Sequence, residues 1–246
     1  MLYLLAGLLI GSFIAALTYR VPRLVPWALG RSFCPRCKKK LSWFDNIPLF
    51  SYLLLSGKCR DCKKRISLRY PVIELVSGLS FVGLGWVWGN YLHSSPIELL
   101  FIVFLFIVTL SILVIDIEHR IIPDNMVFVA IASVFLYLVI LDRPIYINLL
   151  SGFISAFFLL ILHLITKGKG MGLGDVKFAI LGGLVLGWPN TPIWMFLSFI
   201  IGAFVGIVLI LFKKASFGKK IPFGPYLVVS LWITFIWGNQ LLALLV

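Results

Sequence analysis

Two sets of residues in this chain have the types and spacing to do chemistry: a pair of aspartates and a group of four cysteines. Asp175 closes the Gly172-Leu173-Gly174-Asp175 core of the run from Lys167 to Phe178, between long apolar stretches on both sides. Asp116 lies in the other acidic stretch set among apolar runs, Ile115-Asp116-Ile117-Glu118-His119-Arg120-Ile121-Ile122-Pro123-Asp124. An acid where a chain is about to enter hydrocarbon is expensive, so such a residue is a functional candidate by default. Paired carboxyls can hydrolyse a peptide bond: an ionised one takes a proton from water while a protonated one donates to the carbonyl oxygen. Like charges sharing a site do not both ionise easily, so such a pair titrates as a unit. Gly170, Gly172 and Gly174 would let the backbone approach an extended substrate closely.

The same acids also fit a structural role, capping helices or pairing with Lys177, His119 or Arg120. Spacing alone leaves both readings open. Asp124, after Pro123, is expected to be a helix N-cap, and Glu118 and His119 to lie in a solvated loop. His93 and His163 show no partner in the sequence. Gly170-Met171-Gly172-Leu173-Gly174 is not a dinucleotide loop, because Asp175 breaks the GxGxxG spacing and no strand precedes it.

Cys34-Pro35-Arg36-Cys37 and Cys59-Arg60-Asp61-Cys62 are two CxxC pairs separated by 21 residues. This spacing matches a four-thiolate zinc ribbon, a closed and structural site. Neighbouring lysines and arginines favour the thiolates. Four free thiols in a solvent loop is the alternative.

The elements that must position these residues are membrane spans. The chain has 246 residues, 61% hydrophobic and only 13% charged, with a mean hydropathy of +1.07. Soluble domains are about a quarter charged. The expected fold is therefore an all-α polytopic membrane protein of about eight transmembrane helices, N-terminus outside, with a small cytoplasmic zinc-ribbon-like loop at 20–70. The spans are placed near 1–19, 71–91, 97–115, 125–141, 145–166, 178–188, 192–212 and 225–244. Loops at 20–70, 116–124, 167–177 and 213–223 then share one side and hold 21 of the 22 basic residues. That asymmetry marks the side as cytoplasmic and puts Asp116 and Asp175 on the same face. It also accounts for the net charge of +13 through orientation and anionic lipid contact, so nucleic acid is not expected as a partner.

In order along the chain stand Gly11-Ser12-Phe13, the two cysteine pairs, Asn46-Ile47-Pro48-Leu49, Arg69-Tyr70-Pro71 with Glu74, Ile115-Asp116 with Ile122-Pro123-Asp124, Gly172-Leu173-Gly174-Asp175-Val176-Lys177 and Pro222-Phe223-Gly224-Pro225-Tyr226. Together they resemble the bacterial type IV prepilin leader peptidase/N-methyltransferase family, membrane aspartyl enzymes with a GxGD motif, over nearly the whole chain. The resemblance implies that Asp116 and Asp175 are the catalytic pair. It implies inner-membrane substrates, prepilins or pseudopilins, whose basic leader ends in Gly at the cytoplasmic face. The new N-terminal residue, usually Phe, would be methylated using S-adenosylmethionine. It associates the cysteine loop with methylation, with Gly57 matching a glycine linked to that activity and Glu74 a further candidate.

The implied division is 1–95, for the first span, cysteine loop and second span, and 96–246 for the peptidase. Two other readings stay open: a peptidase whose cysteine loop is only structural, and a non-catalytic membrane scaffold. Self-association is left open too.

Overall fold

The computed structural model describes residues 1–26, 30–91, 95–213 and 221–245. His93 and most of the expected 213–223 loop lie outside the described residues. Among the described residues the architecture is helical, with two isolated antiparallel bridges and no strand. Nine helices are described: α1 Leu2–Arg20, α2 Phe50–Leu54, α3 Arg69–Tyr91, α4 Pro96–His119, α5 Asp124–Ile140, α6 Ile145–Ile165, α7 Leu173–Leu186, α8 Asn190–Leu211 and α9 Gly224–Leu245.

Apart from the short α2, a helix stands at each of the eight places where a span was expected. Six of them, α1, α3, α4, α6, α8 and α9, are long and apolar enough to cross a membrane. At a rise of about 1.5 Å per residue, a hydrocarbon core of roughly 30 Å needs about 20 residues. The 17 residues of α5 and the 14 of α7 fall short of that. The chain is a multi-pass membrane protein.

Three boundaries differ from expectation. The first is that of α7, which begins at Leu173 and not near 178, so that Asp175 and Lys177 are helical rather than part of a 167–177 loop. Helix α4 continues four residues past Ile115, so Asp116, Glu118 and His119 are helical rather than part of a loop. It stops where Arg120 turns left-handed (φ 57°), and Pro123 prevents it from resuming at once. Pro123 occupies the N-cap position of α5, so Asp124 is that helix's first residue and makes no capping bond.

The chain divides into two compact units, residues 1–107 and 108–246. In the first, α1 packs along α3. A Cβ on Gly11 would lie 2.7 Å from the Cα of Glu74, so the absence of one permits the close approach that favours helix pairs in lipid. Arg69 joins the two helices at one end, donating to the Ala15 carbonyl (3.1 Å) and to Thr18 Oγ1 (2.6 Å).

In the second unit α7 packs against α5, α6, α8 and α9, and α8 against α9. Polar bonds lock these contacts. Ser155 donates to the Ala179 carbonyl, Ser198 and Ser230 share a bond of 2.6 Å, and Trp194 Nε1 donates to the Leu227 carbonyl. With apolar lipid outside, packing and such bonds hold helices together. The short helix α7 thus sits amid four neighbours with Asp175 in its first turn.

Candidate active site

Asp116 and Asp175 come from separate helix ends and are both buried, 5% and 8% exposed. They lie within electrostatic reach of each other. Each is held in the same manner. The Gly224 N–H donates to Asp116 Oδ2 at 3.0 Å, and the Gly172 N–H donates to Asp175 Oδ2 at 2.9 Å. Among the described residues neither acid makes another hydrogen bond, so the second oxygen of each is left for chemistry.

Ile122 marks the space between the two supports. A Cβ on Gly174, next to Asp175, would stand 2.9 Å from the Ile122 Cβ. One on Gly224 would stand 2.6 Å from Asp116 Oδ2 and 3.3 Å from the Ile122 Cδ1. The Ile122 side chain therefore fills the gap between the glycine beside one acid and the glycine bonded to the other. Both glycines are needed for it to fit.

A purely structural role suits the acids unequally. Asp175, third residue of α7, accepts the N-cap N–H as in a capping box, and its position stabilises a helix start. Asp116 sits in the last turn of α4, where the helix macrodipole makes a negative charge unfavourable, and it is buried without a cationic partner among the described residues. Nothing about the stability of α4 asks for it.

The expected cationic partner goes elsewhere. Lys177 Nζ bonds both oxygens of Asp124, at 2.8 and 2.7 Å, tying the first turn of α7 to that of α5. His163, without a visible partner in the sequence, has its Nδ1 2.7 Å from the Met171 carbonyl and so fastens the loop that precedes Asp175. The Lys177–Asp124 pair is largely solvated, and such pairs contribute about 0.2–1 kcal/mol. Lys177→Met should therefore leave stability within about 1 kcal/mol of the parent. It should nevertheless slow cleavage roughly tenfold, because small misplacements of an acid are costly to rate. The exchange Lys177→Asp with Asp124→Lys should recover much of the loss in a peptide-cleavage assay; no recovery would show that the pair does not align the site.

The cysteines also converge. All four Sγ atoms lie within 4.8 Å of one another, and none is in a disulfide. Each CxxC is folded into the same knuckle. The Cys34 N–H donates to the Lys39 carbonyl and Lys38 N–H to Cys34; Cys59 N–H donates to Lys64 and Lys63 N–H to Cys59. Although burial opposes ionisation of Cys34, N–H donors from Cys37 and Arg36 bring its thiol down to about 7. Four sulfurs around one zinc at about 2.3 Å would be about 3.8 Å apart, so the donor set fits the ion. One zinc per chain is expected by elemental analysis of the purified protein, and Cys34→Ser or Cys59→Ser should remove most of it. Full zinc retention in both variants would exclude this cluster as the site.

Gly57 and Glu74 touch the same short helix, α2. Glu74 is buried and accepts the Leu49 N–H at 2.9 Å. Gly57 has φ of 67°, and a Cβ there would meet the Tyr52 hydroxyl at 2.9 Å. These contacts fix where α2 stands.

Comparison with known proteins bears on both units. Residues 5–88 match the bacterial peptidase A24 N-terminal domain, and residues 99–207 match the type IV leader peptidase family. A prepilin leader peptidase/N-methyltransferase of Pseudomonas aeruginosa is 33% identical over 97% of this chain and 90% of its own length. This chain belongs to the prepilin leader peptidase/N-methyltransferase family. Proteins of the same name from Aeromonas hydrophila (32% identical, 98% of this chain and 91% of that one) and Neisseria gonorrhoeae (32%, 93% and 87%) agree. No solved structure gives a significant match.

In this family member, sequence reasoning had flagged the two acids and the four thiols but missed what holds the acids. Gly224 belongs to a motif noted in the sequence, yet its contribution is a backbone N–H, which every residue but proline carries. Nothing in residue type could have pointed to it.

Proposed function

We propose that this protein removes the leader of a prepilin or pseudopilin after Gly at the cytoplasmic face of a bacterial inner membrane. It then N-methylates the exposed residue, usually Phe, with S-adenosylmethionine as methyl donor. The observation that carries the peptidase reading is the pair of buried acids on different helices, each with one oxygen bonded to a glycine N–H. Residues 96–246 supply the peptidase in this reading, and residues 1–95, with the cysteine loop, serve methylation.

In the cleavage step the ionised member of the Asp116/Asp175 pair takes a proton from water, whose oxygen attacks the scissile carbonyl carbon. The protonated member donates to the carbonyl oxygen, giving a gem-diol. Collapse breaks the C–N bond as a proton passes to the departing amine, and the pair again holds one proton. General acid–base catalysis by each group contributes about 10²–10⁴-fold. Tethering Oδ2 of both acids leaves Oδ1 of each for water and carbonyl.

Zinc would be held by Cys34, Cys37, Cys59 and Cys62, and there it supplies structural cross-linking of the two knuckles. Gly57 and Glu74, which meet the segment around α2, are the candidate residues for methylation and would lie at the S-adenosylmethionine site. The clustered thiols and the names of the relatives favour the bifunctional reading over a peptidase alone.

The test is incubation of the purified protein with a prepilin, with and without methyl donor, followed by mass spectrometry of the mature N-terminus. Leader loss in both arms and one added methyl group in the donor arm are expected. Leader loss without methylation would leave the peptidase-only reading; no cleavage in either arm would refute the assignment.

A further inference from the structure

The segment from Trp43 to Leu54 carries more exposed apolar surface than a loop in water should. It comprises the 3-10 turn Trp43–Asn46 and helix α2. Trp43, Leu53 and Leu54 are 77%, 73% and 70% exposed, and Phe44, Ile47 and Phe50 are exposed as well. This stretch is not one of the membrane-spanning helices, so lipid around a span does not account for it. Single exposed apolar residues are ordinary, whereas a run of this kind marks an interaction surface.

Its position indicates the partner. The Leu49 N–H is bonded to Glu74 Oε2 at 2.9 Å, and Glu74 stands five residues into the spanning helix α3. At 1.5 Å per residue that is about 8 Å along the helix from its start. Amphipathic segments that rest in a bilayer interface bury their apolar side about 5–10 Å deep. The carboxyl of Glu74 therefore holds the start of α2 at the level of the membrane boundary. Arg60 fastens the neighbouring turn, with its guanidinium on Asp45 Oδ1 (2.9 Å) and over the Phe44 ring.

The charge around it agrees. Residues 31–65 contain ten basic residues against two acids, Asp45 and Asp61. Those acids are already paired, with Arg60 and Lys39. Arg36, Lys38, Lys40, Lys63, Lys64 and Arg65 are exposed on the two knuckles. Polybasic segments next to a span are drawn to anionic headgroups, and an aromatic ring such as that of Trp43 suits the same zone. A basic peptide would be repelled from this surface.

We propose that residues 43–54 form an interfacial anchor. Trp43, Phe50, Leu53 and Leu54 enter the boundary of the bilayer that α1 and α3 cross, while the cations of the cysteine knuckles rest on anionic phospholipid headgroups. The anchor fixes the cysteine loop to the membrane surface instead of leaving it free in solvent. It depends on the chain spanning a membrane and not on the peptidase or methyltransferase reading.

The test uses the full-length protein in nanodiscs of phosphatidylcholine with or without phosphatidylglycerol, containing lipid brominated high on the acyl chain. The difference in emission between the parent and Trp43→Phe isolates Trp43 from the other tryptophans. In phosphatidylglycerol discs, roughly half or more of the Trp43 emission should be quenched by the brominated lipid and little by aqueous acrylamide, as for an interfacial ring. Replacing Lys38, Lys40, Lys63 and Lys64 together by Gln should reduce that quenching towards the value in phosphatidylcholine alone. The triple variant Phe50→Ser/Leu53→Ser/Leu54→Ser should lose it while keeping its zinc content. Trp43 open to acrylamide and blind to brominated lipid would overturn the proposal. So would shielding that appears only when a prepilin is added, or only as the protein self-associates. Equal quenching in both lipid mixtures would overturn the part assigned to anionic headgroups.

Discussion

Asp116→Asn and Asp175→Asn are each expected to lower leader cleavage by about 10²–10⁴-fold, the range for loss of a general acid or base. Both substitutions keep the size of the side chain and its acceptor oxygen, so the N–H bonds from Gly224 and Gly172 can persist. The variants should insert and fold. Asp116 has little to contribute to helix stability at the end of α4, so Asp116→Asn should leave thermal stability unchanged or raise it slightly. Asp175→Asn gives up a charge at a helix start and should be destabilised by about 0.3–1 kcal/mol. Methylation of a substrate whose leader has already been removed should survive both. Cleavage at the parental rate by either variant would remove that residue from the catalytic pair. The double variant should be scarcely worse than the single ones, because residues acting as a unit are not additive.

Gly224→Ala is the second large effect, and it has no counterpart in residue chemistry. The new methyl group would be 2.6 Å from Asp116 Oδ2 and 3.3 Å from Ile122 Cδ1. Either the carboxyl or the start of α9 must move, and the N–H bond to Asp116 is lost or lengthened. Cleavage should fall about 10²-fold, the cost of displacing a reacting group by roughly 1 Å. Gly206→Ala is the control. It is also a glycine in a spanning helix, but a Cβ there meets nothing within 4 Å, so activity should be unchanged. If Gly224→Ala cleaves as fast as Gly206→Ala, the bond to Asp116 does not position that acid. The pH profile separates alignment from general damage. A variant that has merely lost folded protein keeps the parental profile at reduced amplitude, whereas one whose Asp116 has lost its donor changes shape.

The cysteine site was readable because its signal is a matter of residue type. Thiols in CxxC pairs have few other uses, and backbone turns at Lys38 and Lys63 bring each pair into the same knuckle. The acids were readable for a related reason, since carboxyls beside apolar runs are costly. The solvated loop expected around Asp116 was wrong because span ends were placed where charge begins. Helix α4 carries its hydrogen-bonding pattern through Asp116 to His119 before Arg120 turns it. Asp124 was expected to cap a helix and instead takes Lys177, because Pro123 already occupies the cap position.

The amino-acid sequence by itself determined that the chain crosses a membrane several times and singled out two acids and four thiols as its candidate reactive groups. Hydropathy, charge asymmetry and residue chemistry are local properties and can be read in one dimension. The folded chain alone decided that Gly224, 108 residues from Asp116, supplies that acid's hydrogen bond. It also decided that Ile122 fills the gap beside Gly174 and that Glu74 holds the Leu49 N–H at the start of α2. Those contacts are made by backbone amides, missing Cβ atoms and close packing. Their existence depends on which helices meet, and no residue type announces it.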